Sequence, residues 1–257
     1  MVKIYMNHLE LFSGTHSFGK VSSELGYNVY SLDRDLGAVH EEYKSKNHFK
    51  EDIMTWDYKQ YPVGFFKLIT ASPVCLWWSI LRNTWIGRKL KGMDRPLTKE
   101  DINNDIENLG IPMVDKIFEI IDYFNPEYFI IENPKTGTMK NYINDLIPYY
   151  DIDYCKYTNW GYKKTTRFWT NIPNLKFDCC KNDCENMIEI EGQKLHSDRM
   201  GTSKTINDHG KIVRVNTAKL RDKYKDYPNL QKGKKIQTKL ERYRIPPKII
   251  SKFLINI

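Results

Sequence analysis

Cys75 stands four residues beyond an apolar run, Lys67-Leu68-Ile69-Thr70-Ala71, that reads as a buried strand ended by Pro73. A cysteine just past the carboxyl end of a strand lies where open α/β sheets bind their ligands. A thiol in that place can act as a nucleophile, whereas a buried packing cysteine is the bland alternative for any lone thiol. A second run, Ile130-Ile131-Glu132-Asn133-Pro134, carries an acid to a strand end that proline again closes. Glu132 is therefore expected in the same cleft as Cys75, with a helix cap or surface ion pair as the alternative. A thiol and a carboxyl at the ends of two buried strands make a nucleophile-plus-acid pair. A third segment runs from Trp160 to Thr170, where Arg167 enters a late strand. Its guanidinium could fork onto a carbonyl or stabilise developing charge, or serve as an ordinary strand-edge cation.

Upstream, Leu9-Glu10-Leu11-Phe12-Ser13-Gly14-Thr15-His16-Ser17-Phe18-Gly19 links a first strand to a first helix. Gly14 permits a tight turn and close approach of a ligand, and the helix start behind it offers free amides to a polar or anionic group. About twenty residues on, Asp33 followed by Arg34 ends a second strand, where an acid can accept hydrogen bonds from ribose hydroxyls. Asp52 and Ile53 follow where a third strand is expected to end, and the carboxylate there could accept from an adenine amino group. Taken singly, each acid reads as a surface residue. In this order the set suggests an adenosine-containing cofactor.

Positioning these groups requires alternating elements. Residues 8–12, 27–32, 65–71, 127–131, 151–157 and 167–170 read as strands. Residues 17–25, 36–45 and 139–146 read as helices, and 99–124 as a longer helical pattern interrupted near Gly110-Ile111-Pro112. Such alternation implies an α/β fold, a mostly parallel sheet with helices on both faces. The composition changes after Asn171-Ile172-Pro173. Residues 172–243 are polar, basic and poor in apolar runs, and are expected to form a small separate region beside a catalytic domain spanning 1–171. Pro246-Pro247 then opens an amphipathic helix within 244–257, expected to return to the main sheet.

The chain has 257 residues, enough for one large core with an appendage, and a formal net charge of +8. That balance favours a polyanionic partner. Lys and Arg crowd residues 211–244, interleaved with Tyr224, Tyr227 and Tyr243, as a surface for phosphates and bases would require; a solvated basic face is the alternative. No apolar run approaches the roughly 18 residues of a membrane span, and the N-terminus lacks a signal-like apolar core, so a reducing, cytoplasmic setting is expected. The five cysteines, an odd number, suit free thiols or a metal site better than a disulfide framework. Cys179, Cys180, Cys184 and His196 form a candidate zinc set, with free surface thiols as the alternative, and Cys155, inside a strand pattern, reads as structural.

The ordered set FSGTHSFG, Asp33, Asp52, SPVCLWWS, IENP and GYKKTTRFWTN resembles the cytosine carbon-5 DNA methyltransferases, most of all their compact phage- and virus-type members. The resemblance covers about residues 8–171 and implies a Rossmann-like fold that binds S-adenosylmethionine. It implies cofactor contacts from Phe12, Ser13, Gly14, Thr15, His16, Ser17, Asp33, Arg34, Asp52, Ile53, Ser72 and Pro73. It further implies Cys75 as nucleophile, Glu132 as acid and Arg167 as a helper near the target base. Double-stranded DNA is the implied partner, bound by a monomer, with residues 76–97 as the loop that closes over it. Trp77 and Trp78 could belong to that loop or to the core. The sequence departs from the family's pattern at Pro73-Val74-Cys75-Leu76, where Pro-Pro-Cys-Gln is usual. His16 replaces a small residue, and no Gly-Asn-Ser-Val-like segment precedes the C-terminus, so part of the usual pocket wall is either missing or replaced by residues 244–257. The same fold acting on RNA or moving a modified methyl group, and a non-catalytic nucleic-acid binder, are the rival readings.

Overall fold

The computed structural model describes residues 6–35, 47–143, 147–190, 193–197, 204–205, 214–215, 243–255 and 257. The helix expected at 36–45 and nearly all of the basic stretch 211–244 lie outside them, as does most of the region expected to stand apart at 172–243. Nine described strands matter here: β1 (Asn7–Leu11), β2 (Asn28–Leu32), β3 (Asn47–Phe49), β4 (Leu68–Ala71), β5 (Tyr128–Pro134), β6 (Tyr149–Asp153), β7 (Thr165–Thr170), β8 (Met187–Ile190) and β9 (Gln193–His196). The helices are α1 (Ser17–Glu24), α2 (Lys99–Asp105), α3 (Ile111–Phe124), α4 (Met139–Ile143) and α5 (Pro247–Leu254).

Strands β1 to β7 form one sheet in the order β3-β2-β1-β4-β5-β7-β6. The first five pair in parallel; β7 runs antiparallel to both β5 and β6. This is the α/β fold expected from the alternation, and its strand order is Rossmann-like, as the resemblance implied. The strand order reverses between β1 and β4, the switch point where such sheets open a crevice at their carboxyl ends. Strands β8 and β9 form a separate hairpin.

The two-residue period of the strands divides the core. Leu68, Ile130, Ile152 and Phe168 face α1 and α5, packing with Phe18, Val21, Ile249 and Phe253. Leu9, Leu11, Ile69, Ala71, Ile131 and Trp169 face the other side, against Val114, Ile117 and Ile121 of α3 and Met139 and Ile143 of α4. Polar positions on the α1 side are paired internally: His8 bonds Ser22 Oγ through Nδ1 (2.7 Å) and Thr70 Oγ1 through Nε2 (2.8 Å). Burial holds the His8 ring well below the ordinary histidine range, at about 4, so it stays neutral between those hydroxyls.

The helical pattern at 99–124 is continuous rather than interrupted. Thr98 caps α2 through a reciprocal capping box with Asp101. A five-residue π turn, Ile106–Gly110, then leads into α3, whose second residue is Pro112. The wider turn accommodates a proline that offers no amide. Gly110 is fixed for another reason: a Cβ there would lie 3.0 Å from Cζ2 and 3.1 Å from Cε2 of Trp78.

Candidate active site

The carboxyl ends of β1, β2, β4 and β5 open into a cavity of about 380 Å³. That volume lies within the roughly 300–1,000 Å³ of small-molecule sites. One end is lined by Phe12, Ser13, Gly14, Thr15, Ser17, Asp33, Arg34, Asp52 and Ile53; the other by Ser72, Pro73, Cys75, Glu132 and Lys164.

At the first end the turn after β1 is held in place by the strand beside it. Phe12 and Gly14 both have left-handed backbones, at φ 55° and 43°. Ser13 N donates to Leu32 O (3.1 Å) and Gly14 N to Asp33 Oδ2 (2.9 Å). Asp33 Oδ1 accepts from Asp35 N (2.8 Å). A carboxylate has about four acceptor sites, so two remain for a ligand's hydroxyls. Asp52 accepts from Met54 N (3.0 Å) and pairs with Arg34 (3.3 Å) at the surface. Ser13 Oγ is buried and has no hydrogen-bond partner among the described residues. A buried hydroxyl in that condition can serve a ligand's polar atom.

The start of α1 differs from expectation. The amides of Phe18 and Gly19 are taken by Glu10 Oε1 (3.1 and 3.0 Å), so this helix end offers them to the protein's own carboxylate rather than to a ligand. Glu10 Oε2 meets His16 Nδ1 at 2.9 Å. His16 is consequently turned into the core, buried against His48 (ring centroids 4.8 Å apart), and is not among the cavity-lining residues with which the sequence grouped it. Gly19 is required by the same carboxylate: a Cβ there would lie 2.5 Å from Glu10 Oε2.

At the second end, β4 and β5 are adjacent and parallel, with Ala71 beside Ile131. Cys75 and Glu132 thus leave neighbouring strand ends into one cavity. Asn133 Nδ2 donates to Pro73 O (3.1 Å), fastening the cysteine loop to the acid-bearing strand. Farther along that loop, Trp78 O accepts from Thr138 N (2.8 Å). Trp78 is a core residue, buried and stacked on Tyr142, whereas Trp77 is half-buried under Arg82. Leu76, Ile80, Leu81 and Ile86 of the expected closing loop are exposed.

Burial raises Glu132 above the usual carboxylate range; Lys164 and the Ser72 and Tyr154 hydroxyls pull the other way without cancelling it. Glu132 is thereby biased toward its protonated form. Burial, and secondarily the Glu132 charge, raise the Cys75 thiol, and again Lys164 opposes. One cation therefore acts on both groups. The Lys164 ammonium lies 4.9 Å from the centre of the Tyr154 ring, and Tyr154 OH reaches Glu132 Oε1 at 3.4 Å.

The geometry does not bring Arg167 to this cavity. In the β5–β7 register Glu132 is opposite Phe168, and Arg167 is opposite Asn133. Arg167 therefore shares the sheet face of Trp169, away from the Glu132 side. There its Nε and Nη2 bond Asp151 (2.7 and 3.0 Å), and its guanidinium covers Tyr149 at 3.6 Å. Lys164, Tyr154 and Tyr243 take places at the site that the sequence reading did not give them, whereas Ile245 lies in the segment 244–257 that it named as a substitute for the missing pocket wall. The even-numbered period through Lys164, Thr166 and Phe168 was the available signal for the first. Tyr243 and Ile245 line the cavity, and Ile245 N donates to Ser17 Oγ (3.0 Å), so the segment leading into α5 supplies part of its wall.

Away from the cavity, Cys155, Cys180, Cys184 and His196 have their ligand atoms within 4.8 Å of one another and could hold a metal ion. Cys179 does not join them. It is exposed, its sulfur directed at Asp151 O (3.7 Å). Neighbouring cysteines point apart, and the fourth member of the cluster is instead Cys155, which a 3-10 turn (Tyr154–Lys156) after β6 swings out of the strand pattern.

No protein-family model matches the chain. Over 253 residues, covering 97% of this chain and 99% of the relative, it is 34% identical to a probable DNA (cytosine-5)-methyltransferase of Frog virus 3 (isolate Goorha). Among solved structures it is similar to a DNMT2 variant from Spodoptera frugiperda, at 18% identity and a TM-score of 0.40 over 68% of this chain. It is also similar to the methyltransferase EhMeth of Entamoeba histolytica, at 14% identity and a TM-score of 0.43 over 72% of this chain. The match spans 53% and 59% of those two structures' own lengths.

Proposed function

The chain belongs to the DNA (cytosine-5)-methyltransferase family, and we propose that it transfers a methyl group from S-adenosylmethionine to carbon 5 of a cytosine in double-stranded DNA. The observation that carries this reading is the convergence of Cys75 and Glu132, from adjacent strand ends, on a cavity whose other end has the donors and acceptors an adenosine-bearing cofactor needs.

The cavity fits that cofactor. Asp33 has acceptor capacity left for ribose hydroxyls, Asp52 and Ile53 lie where an adenine edge and face would be held, and Ser13 presents an unpartnered hydroxyl. Phe12, Gly14, Thr15, Ser17, Arg34, Ser72 and Pro73 complete the wall. When bound, S-adenosylmethionine supplies an electrophilic methyl group on a sulfonium.

The protein must make carbon 5 of cytosine nucleophilic. Cys75 Sγ adds as thiolate at carbon 6, and Glu132, biased toward its protonated form, donates to ring nitrogen 3, so that carbon 5 gains enamine-like electron density. Lys164 supports the thiolate by opposing the burial that favours the thiol. After methyl transfer a base removes the carbon-5 proton, the sulfur leaves, and nitrogen 3 returns its proton to Glu132. A stacked base shows neither face of its ring, so the nucleotide has to leave the duplex to reach Cys75.

Methyl incorporation into duplex DNA, transfer RNA and free nucleotides offered in competition tests the reading. Duplex DNA is expected to take the label and Cys75→Ser to abolish it while cofactor binding persists. Full incorporation by Cys75→Ser would refute the nucleophile. Duplex DNA carrying 5-fluorocytosine, which has no carbon-5 proton to lose, is expected to leave a covalent complex with the wild-type chain that survives denaturation.

A further inference from the structure

The methyl-transfer chemistry leaves three buried thiols and an imidazole without a role, and the fold gathers all four beside the β6–β7 edge. Cys155 comes from the turn after β6, Cys180 and Cys184 from the loop that follows β7, and His196 from the end of β9. The Cys180 Sγ to His196 Nε2 distance is 3.6 Å and the Cys184 Sγ to His196 Nε2 distance is 3.4 Å. A tetrahedral zinc with Zn–S near 2.3 Å and Zn–N near 2.05 Å would set sulfur and nitrogen about 3.6 Å apart and two sulfurs about 3.8 Å apart. The two sulfur–nitrogen spacings lie within a few tenths of an ångström of the first figure, and all four ligand atoms lie within 4.8 Å of one another. All of these cysteines are free.

We propose that Cys155, Cys180, Cys184 and His196 bind one structural Zn²⁺ that fastens the segment after β7 to the edge of the catalytic sheet. Binding balances as three thiols each losing a proton to solvent and three thiolates with one neutral imidazole closing the ion's coordination. With four protein ligands no position stays open, which makes the site structural rather than catalytic. The surrounding contacts hold the ligands in place independently of an ion. Cys180 N donates to Asp153 Oδ2 (2.7 Å). Lys163 Nζ donates to Cys180 O (3.0 Å) and pairs with Asp153 (3.3 Å), setting a cation beside the one net negative charge such a complex carries. Asn186 Nδ2 donates to the carbonyls of Cys155 (2.8 Å) and Thr158 (2.7 Å). Supports of this kind orient ligands before the metal arrives. Ile172, Leu175 and Phe177 anchor the start of this segment in the core, but residues 178–186, which carry Cys180 and Cys184, have no large apolar side chain of their own.

The test is metal content of the full-length chain purified without chelator, measured by elemental mass spectrometry, with Co²⁺ exchanged for spectroscopy. Stoichiometric zinc is expected in the wild-type chain and in Cys179→Ser, with loss in Cys155→Ser, Cys184→Ser and His196→Ala. The Co²⁺ form is expected to show the intense visible bands of tetrahedral thiolate coordination. Zinc-free wild-type protein that gives no such bands with Co²⁺ would overturn the proposal and leave the cluster as ordinary thiol packing. Loss of metal in Cys179→Ser with retention in Cys155→Ser would overturn the ligand set. Should a ligand variant fail to accumulate folded, the wild-type and Cys179→Ser proteins still decide. The readout is the metal itself, so the result is separable from methyl transfer.

Discussion

Replacing each of two nearby cations by methionine separates their roles. Lys164 lines the cavity and opposes burial at both Cys75 and Glu132. Arg167 lies on the opposite sheet face, paired with Asp151. Removing a preorganised charge partner from a water-excluded site typically costs 10²- to 10³-fold in kcat; Lys164 is half-exposed, so Lys164→Met is expected to cost about 10- to 100-fold. The sign of the pH effect is fixed by the same contacts. Lys164 lowers both the thiol and the carboxyl, so its loss raises both, and the bell-shaped profile of kcat against pH moves to higher pH on both limbs. This holds whichever limb belongs to which group, because coupled sites titrate as a pair. Arg167→Met is expected to leave that profile in place and act on stability. Breaking a buried ion pair costs about 3–5 kcal/mol, but Asp151 is partly exposed and keeps Lys135 at 2.9 Å, so about 2 kcal/mol is expected. For a chain of this size that lowers Tm by about 4–8 °C. The assay is labelled methyl incorporation across pH together with thermal denaturation. An unshifted profile in Lys164→Met, or a shifted one with unchanged Tm in Arg167→Met, would show the cation assignment to be wrong.

Glu132→Gln is expected to lower kcat about 10²- to 10⁴-fold, because an amide cannot hand a proton to the ring, and to remove one limb of the pH profile; normal turnover would exclude Glu132 as the acid. Glu10→Ala strands the Phe18 and Gly19 amides in the core and is expected to destabilise by about 3 kcal/mol, read by denaturant unfolding; a change below the noise would mean those amides find other partners. Gly110→Ala gains about 1 kcal/mol of helix propensity but forces Trp78, which is pinned between Gly110 and Tyr142, so a net loss of about 1 kcal/mol is expected; a raised Tm would show that the ring yields freely.

The strand ends were legible because they are local. Apolar runs closed by Pro73 and Pro134 put Cys75 and Glu132 at carboxyl edges whatever the neighbours are, and the alternation of strands and helices then brought those edges together. The turn after β1 was legible as a ligand turn but not in its interior. Whether Glu10 or a ligand takes the helix amides depends on a carboxylate reaching across from the strand, and nothing in the spacing of Glu10 and Phe18 announces that. The expected Cys/His set differs from the observed cluster at one member for a similar reason. A run of alternating residues hides the point where a strand stops, and β6 stops at Asp153, whose side chain then takes the Cys180 amide and fixes which of two neighbouring cysteines faces inward.

Arg167 shows where local reading ends. Its own strand period says only that it alternates with Phe168; which of the two shares a face with Glu132 is decided by the register of β7 against β5, two strands separated in sequence by β6 and several turns. A shift of one residue would exchange their faces. The observed register sends Phe168 to the α5 side with Glu132 and sends Arg167 to the side of Trp169, where Asp151 on β6 is placed to receive it. Asp151 and Arg167 thus fix each other: a slipped β7 would carry the guanidinium away from Asp151 and bury its charge among Phe168's apolar neighbours on α5. The ion pair is therefore a register lock for the antiparallel strand, and because the lock holds, Lys164, the residue that immediately precedes this strand, is held at the rim of the cavity that Cys75 and Glu132 share.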